Sequence, residues 1–122
     1  MRKMVLTVLM CVSVVAVTTA GEINLGKFPV GEWLDDNYDA LWTFSSDNIQ
    51  LFRTDGTLVY DFRGEVENFN VSAGLSGLEL SFSCTGTDRS YKFVKGVSNT
   101  DLKLVIDTGT GLHYETDMKM QK

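Results

Sequence analysis

Short segments that alternate apolar and polar residues constrain the fold of this chain more than any other feature. The segment Leu78–Cys84 alternates at every position, and similar segments recur along the chain with turn residues between them. Successive side chains of a β-strand point to opposite faces, so strict alternation is typical of a strand that is buried on one side. About nine such segments follow one another, roughly 8–12 residues apart, and no convincing helical period is present. The sequence therefore predicts an all-β protein.

The predicted strands are joined by short turns, including a strong hairpin signal at Asp55-Gly56. They cover residues 30–34, 40–45, 49–53, 57–62, 65–71, 78–84, 89–94, 102–106 and 112–120. Consecutive hairpins favour a meander, and a meander leaves two adhesive edges unless it closes. We therefore expect an up-and-down antiparallel β-barrel of roughly 8–10 strands. The alternative is an open sandwich with Greek-key crossovers, but the candidate crossing connections, residues 71–77 and 95–101, are short.

The alternation also predicts which side chains face the interior of the sheet. The predicted inward set is Trp42, Phe44, Ile49, Leu51, Leu58, Tyr60, Phe62, Leu78, Leu80, Phe82, Cys84, Tyr91, Phe93, Leu102, Leu104, Ile106, Leu112, Tyr114 and Met118. The opposite parity carries mostly polar residues, among them Glu79, Lys92, Lys103 and His113. Phe52 and Val59 are apolar on the polar side, so they are either surface residues or the sign of a register shifted by one position.

The N-terminus has the organisation of a secretory signal peptide. Arg2 and Lys3 precede an almost unbroken apolar run, residues 4–17, and small residues lead to Ala20. The run is shorter than the roughly 20 apolar residues that span a bilayer. We therefore expect cleavage near Ala20, a single domain over residues 21–122, a secreted or periplasmic location and no stable membrane span in the mature chain.

Charge and cysteine content narrow the class of protein further. The full chain has a net charge of -5, and loss of the two basic residues with the signal peptide would make it -7. An acidic chain is a poor partner for phosphate backbones, so we expect no nucleic-acid binding. Cleavage would also leave Cys84 as the one cysteine of a 102-residue chain. An internal disulfide is then excluded, and stability must come from buried apolar surface.

Gly31-Glu32-Trp33, at the start of the first predicted strand, resembles the Gly-x-Trp pattern of the lipocalins and the wider calycin group. Asn99-Thr100-Asp101-Leu102 resembles their Thr-Asp-Tyr pattern, with Leu in place of Tyr. The stretch from Trp42 to Phe62 is similar to small secreted bacterial lipocalin-like domains. The resemblance implies a barrel closed at one end by Trp33 beneath a ligand cavity, with a basic residue, Lys119 or Lys122, near that Trp.

Four features that might carry catalytic or metal chemistry have simpler interpretations. Asp107-Thr108-Gly109 resembles the aspartic-protease pattern, but only 13 residues follow it, and a hairpin loop is the better interpretation. Asp35, Asn37 and Asp39 have the spacing of a calcium loop, yet Ala40 replaces the loop glycine, which favours a solvated turn. His113 is the one histidine, and Cys84 has the parity of a core residue. We expect no enzymatic activity, no cofactor and no metal site.

Aromatic residues on the inward parity provide the candidate binding site. The predicted ligand-binding set is Trp33, Trp42, Phe44, Tyr60, Phe82, Tyr91, Phe93 and Tyr114. Such rings would either line an apolar cavity or fill the interior completely, as side chains do in small barrels. A hollow barrel predicts a small apolar or amphipathic ligand oriented by Tyr60, Tyr91 or Tyr114. A filled barrel predicts a protein-interaction module (an inhibitor, an adhesin or an envelope-associated structural domain) that uses the turns 35–39 and 107–111.

Overall fold

The computed structural model describes residues 23–98 and 100–121, and every regular element in these ranges is a β-strand. The nine strands are β1 (Gly31–Asp35), β2 (Ala40–Ser45), β3 (Asn48–Arg53), β4 (Leu58–Asp61), β5 (Val66–Gly74), β6 (Gly77–Cys84), β7 (Arg89–Gly96), β8 (Leu102–Thr108) and β9 (His113–Met120). The prediction of an all-β chain is confirmed, and each predicted segment corresponds to one strand. Within these ranges no helix is long and apolar enough to cross a membrane.

All strands belong to one antiparallel sheet in the order β4-β3-β2-β1-β9-β8-β7-β6-β5. Neighbours in sequence pair with each other, as the short turns predict, except across the link from β4 to β5. The first and last strands also pair, since β9 is hydrogen bonded to β1 with Met120 opposite Trp33. β4 and β5 are the two edges of the sheet and are not hydrogen bonded to each other. The sheet is therefore a curled half-barrel with one open side.

The connection between β4 and β5 packs over this open side. Phe62 is fully buried, and Val66 at the start of β5 is almost as deeply buried. The turn is held by the Asp61 carboxylate, which accepts hydrogen bonds from the Arg63 backbone N–H at 3.0 Å and from the Asn48 side-chain amide at 3.1 Å. These bonds, the Arg63 one first, hold the pKa of Asp61 below its usual value. The connection thus places an aromatic ring at the open side of the half-barrel, against Trp42, Phe82 and Tyr91.

Buried side chains fill most of the interior of the half-barrel. The unfilled part lies near Arg53, where β3 ends, and Arg89, where β7 begins. The segment before β1 contributes Ile23, Leu25 and Phe28, all buried, and the Leu25 backbone N–H donates to the Ser46 carbonyl at 3.0 Å. This segment was not predicted to be part of the core, because it carries no strand period. Phe28 lies 5.8 Å from Phe44, ring centroid to centroid. Burial of these side chains, each worth roughly 1.5–3 kcal/mol, supports the fold without a disulfide.

Two residues of the predicted inward set are wrong. Leu58 is 49% exposed because it pairs with Phe52 on the outer side of the sheet, and Leu112 is 70% exposed because it lies in the turn just before β9. The register between β3 and β4 shifts by one residue at Leu51 and Phe52, so that Phe52 pairs with Leu58 while Leu51 pairs with Tyr60. Val59 is the extra residue of this β-bulge, which explains why its parity disagreed with the alternation.

Some sequence predictions lie outside the described residues. The signal peptide, residues 1–20, is one of them, as are Asn99 of the Thr-Asp-Tyr-like pattern and Lys122. Lys119, the other basic residue that the resemblance placed near Trp33, forms an ion pair with Asp101 at 2.6 Å and is largely exposed.

Candidate ligand-binding site

A cleft of about 630 Å³ opens between the ends of the strands, on the side where the filled core stops. Side chains from β1 to β4 and from β7 to β9 line it. Its inner walls are apolar and consist of Trp42, Leu51, Val59, Tyr91, Leu104 and Ile106. Tyr38, Arg53, Arg89, Leu112 and His113, all at turns or strand ends, surround the mouth. A concave apolar surface with a few polar groups at its rim is the usual form of a small-molecule site.

Closely packed aromatic rings, most of them edge-to-face, form the floor of the cleft. The Trp42 ring lies 5.6 Å from Phe62, 5.6 Å from Tyr91 and 5.1 Å from Phe93, as centroid distances. The Phe62 and Tyr91 rings are 5.3 Å apart and nearly perpendicular. Rings at these separations attract each other beyond the area that they bury. The rings thus stabilise the floor, and a ligand in the cleft would contact the Trp42 and Tyr91 rings.

One wall of the mouth is held by a buried carboxylate. Asp35 is 2% exposed, and its two oxygens accept hydrogen bonds from the Tyr114 hydroxyl at 3.1 and 2.8 Å. The Asn37 backbone N–H donates to the same carboxylate at 2.9 Å. Burial, together with the Asp35 charge, raises the pKa of Tyr114, so its hydroxyl stays protonated and remains a donor. Tyr114 also packs edge-on against Tyr38, at 5.2 Å.

The other two tyrosine hydroxyls are also engaged by protein groups. Tyr91 donates to the Thr87 hydroxyl at 2.9 Å, and burial raises its pKa. Tyr60 donates to Glu65 at 3.3 Å and lies 3.5 Å from the Cys84 sulfur. Its pKa is raised, by the bond to Cys84 first and by burial second. The three hydroxyls predicted to orient a ligand therefore fix the walls of the interior.

Three of the eight predicted site residues, Trp42, Tyr91 and Tyr114, line the cleft. Four others belong to the buried core and do not line it: Trp33, Phe44, Phe82 and Phe93. Tyr60 lies at the open side, beside Cys84. The Trp33 indole N–H is buried without a hydrogen-bond partner. One part of the interior is thus filled by side chains, and another part forms the cleft.

The sequence prediction missed several lining residues. Leu51, Leu104 and Ile106 had the inward parity, but selection by aromatic character alone left them out of the site. Val59 reaches the cleft only because of the bulge. Arg53 is the last residue of β3, and Arg89 is the first residue of β7. The alternation does not distinguish a charged residue at the mouth of the cleft from one elsewhere on the surface.

A charged group on the outer face of β8 and β9 reaches the rim of the cleft. His113 Nδ1 lies 2.5 Å from Asp107, its direct cross-strand neighbour, and Nε2 lies 2.7 Å from Glu115. The two carboxylates, Glu115 first, raise the pKa of His113. The His113 and Lys103 partners in turn lower the pKa of Glu115. This group fastens the end of the last hairpin.

The remaining features weighed for chemistry are turns or core positions. Asp107-Thr108-Gly109 leads into a hairpin in which the Thr108 backbone N–H donates to the Leu112 carbonyl at 2.9 Å, as the simpler interpretation predicted. Cys84 is buried. In the part of the chain that the structure describes, no three His, Cys, Asp or Glu side chains are grouped to hold a metal ion.

No family model matches the chain, and searches of curated proteins and of solved structures also give no match. A function is therefore inferred from the cleft.

Proposed function

We propose that the protein is a secreted or periplasmic lipocalin-like barrel that binds a small apolar or amphipathic ligand in the cleft. The observation that carries the proposal is a cleft of about 630 Å³ with an apolar interior. That volume lies within the roughly 300–1,000 Å³ of small-molecule sites. The Gly31-x-Trp33 resemblance supports the same class of protein, and the N-terminal sequence supports export.

Binding would come from burial of apolar surface. Each ligand methylene that leaves water for the cleft contributes roughly 0.8 kcal/mol. The walls supply flat contact at Trp42 and Tyr91 and flexible aliphatic contact at Leu51, Leu104 and Ile106. Because the tyrosine hydroxyls already have protein partners, a polar end of the ligand would meet the rim of the cleft and not its floor.

Tryptophan fluorescence tests the proposal, since the chain has two tryptophans and only Trp42 lines the cleft. The probe is a brominated dodecyl alcohol, an uncharged amphiphile that quenches on contact, used below its aggregation concentration. Trp33→Phe leaves Trp42 as the reporter, and Trp42→Phe leaves Trp33. We expect saturable quenching that is stronger when Trp42 reports.

A cleft-blocking variant provides the control. Ala40 lines the cleft, whereas its neighbour Leu41 has the opposite parity on β2. Ala40→Phe should fill part of the cleft and weaken quenching, while Leu41→Phe should leave it unchanged. Quenching that does not saturate, or that survives Ala40→Phe, would refute the proposal, provided that circular dichroism shows both variants folded.

Export has its own test. Expression of the full chain with a C-terminal tag, followed by fractionation and mass spectrometry, should give a mature protein that begins at Gly21. An N-terminus at Met1 in the cytosolic fraction would overturn the secreted or periplasmic location without affecting the ligand-binding proposal.

Exposed apolar side chains on the predicted recognition turns favour a second candidate function, a protein-interaction module. Tyr38, within the turn 35–39, is 65% exposed, and Leu112, next to the turn 107–111, is 70% exposed. A partner that binds these side chains should be lost with Tyr38→Ser and Leu112→Ser but retained with Ala40→Phe. Retention of every partner in the two serine variants would remove this candidate.

A further inference from the structure

Two arginines stand at the mouth of the apolar cleft. Arg53 ends β3 and Arg89 begins β7, and both line the cleft. β2, β1, β9 and β8 lie between these two strands in the curled sheet, so the guanidinium groups reach the mouth from different walls. Both arginines are exposed, so their N–H groups are accessible to a ligand that enters the cleft.

Neither arginine forms a close ion pair with a carboxylate in the described part of the chain. Arg89 interacts with the neutral Tyr91 hydroxyl. It lowers the pKa of Tyr91, against the larger effect of burial, which raises it. Arg53 is one cause of the lowered pKa of Asp55, after the hydrogen bonds from Thr57. A guanidinium group carries five N–H donors in a fork that matches carboxylate or phosphate oxygens.

The acidic groups of the cleft, in contrast, already have donors. Asp35 accepts from Tyr114 and from the Asn37 backbone N–H, and Asp39 accepts from the Thr54 hydroxyl. These hydrogen bonds occupy part of the acceptor capacity of the two carboxylates. The chain as a whole is acidic, with a net charge of -5, so any preference for anions must come from these local contacts and not from long-range steering.

We infer that the cleft takes an amphiphile with an anionic head, carboxylate or phosphate, whose tail lies on Trp42 and Tyr91 while its head binds Arg53 and Arg89. This inference rests on the proposed function and adds to it the charge and the orientation of the ligand. Charge-assisted hydrogen bonds to a guanidinium contribute more than neutral ones, so one head group should raise affinity roughly tenfold or more over an uncharged head on the same tail.

The test compares ligands that differ only in their heads. Brominated dodecyl chains that end in a carboxylate, a phosphate, an alcohol or a trimethylammonium group are titrated against the mature chain carrying Trp33→Phe, in which Trp42 is the reporter. The expected order is anionic heads tightest, alcohol intermediate and cation weakest. A tighter phosphate would indicate a phospholipid-like head, a tighter carboxylate would indicate a fatty-acid-like head, and either supports the inference.

Arginine variants separate head-group binding from tail binding. In Arg53→Gln and Arg89→Gln the ratio of carboxylate to alcohol affinity should fall several-fold, and in the double variant it should approach one. Arg63→Gln is the matched control, since Arg63 lies outside the cleft and pairs weakly with Asp47 at 3.6 Å. That control should keep the full ratio. Raising the salt concentration should lower the ratio in the unsubstituted protein, which provides a readout independent of folding.

The failures of the two proposals are distinguishable. Equal binding of alcohol and carboxylate, or a ratio that survives the double variant, overturns the inference and leaves a binding cleft without charge preference. Tighter binding of the trimethylammonium head overturns it in favour of the acidic groups. Absence of saturable binding by all four compounds overturns both the inference and the proposed function.

Discussion

Substitution of Phe62 by alanine tests whether the link from β4 to β5 stabilises the open side of the half-barrel. Phe62 is fully buried, and its ring contacts Tyr60 at 4.7 Å, Phe82 at 5.4 Å and Tyr91 at 5.3 Å, besides Trp42. Burial of the ring contributes roughly 1.5–3 kcal/mol, and the cavity left behind adds to the loss. The aromatic pairs share one ring and are not additive. We expect a loss of about 3–5 kcal/mol, the range for such truncations.

Urea denaturation, followed by circular dichroism and by tryptophan fluorescence, measures this loss. Domains of this size are stable by about 5–15 kcal/mol, so Phe62→Ala should remain folded with a clearly lowered midpoint. Phe62→Leu keeps part of the side-chain volume, so its urea midpoint should lie between those of the unsubstituted protein and Phe62→Ala. Phe52→Ala is the control, because Phe52 is partly exposed on the outer side of β3, and it should cost about 1 kcal/mol or less.

A loss below about 1 kcal/mol for Phe62→Ala, with an unchanged dependence on urea, would refute the reasoning. The free energy of unfolding would then come from contacts within the sheet. The connection over residues 62–65 would contribute no more to stability than an ordinary surface loop. Equal losses for Phe62→Ala and Phe52→Ala would lead to the same conclusion.

Three further predictions concern the turns and the titrating groups. Gly77→Ala should destabilise the protein by about 2 kcal/mol or more, because the φ of Gly77 is +130° and a Cβ would lie 2.1 Å from the Lys95 carbonyl oxygen. Gly74→Ala in the same hairpin is the control and should change stability by no more than about 0.5 kcal/mol, since a Cβ there meets open space. Thermal unfolding compares the two variants. His113→Gln should lower the melting temperature below about pH 6.5, and the difference should vanish as the pH rises through the raised pKa of His113. Asp61→Asn should lower it near neutral pH, and that difference should close as the pH falls through the lowered pKa of Asp61; a pH-independent gap would contradict either assignment.

The strands were predictable because alternation with a period of two is a local property. Residues 40–45 were predicted to the residue, and most other strand ends differ by one to three positions. The larger error is at β5, which continues past Val71 to Gly74 although that stretch does not alternate. Its extension follows from the hairpin with β6, whose ladder runs to Gly74 and Gly77.

The arrangement of the strands could be predicted only in part. Pairing of neighbours follows from short turns, but the pairing of β9 with β1 joins residues that are far apart in the sequence. Nothing local indicates that the sheet opens between β4 and β5. The shift at Leu51 and Phe52 was visible only as a disagreement in parity at Phe52 and Val59.

The candidate site shows why an aromatic interior does not by itself predict a cavity. Whether a ring lines a cleft or fills a core depends on what lies opposite it across the sheet. Phe44 faces Phe28, from a segment without strand period, and Phe93 packs against both Phe44 and Trp42. Such fillers reach only part of the interior, so the remaining end is hollow and its floor is the Trp42 ring.

The division of the interior also determines where a ligand's polar group can be recognised. The hydroxyls of Tyr60, Tyr91 and Tyr114 each have a protein partner. The core side chains Phe44, Phe82 and Phe93 do not line the cleft. Specific polar contacts are therefore restricted to the mouth, where strand ends carry Arg53 and Arg89. In the proposed complex the apolar floor binds the tail, and Arg53 and Arg89 at the rim bind the head. For that reason head-group substitution at constant tail, and not a screen of unrelated compounds, is the informative experiment for this fold.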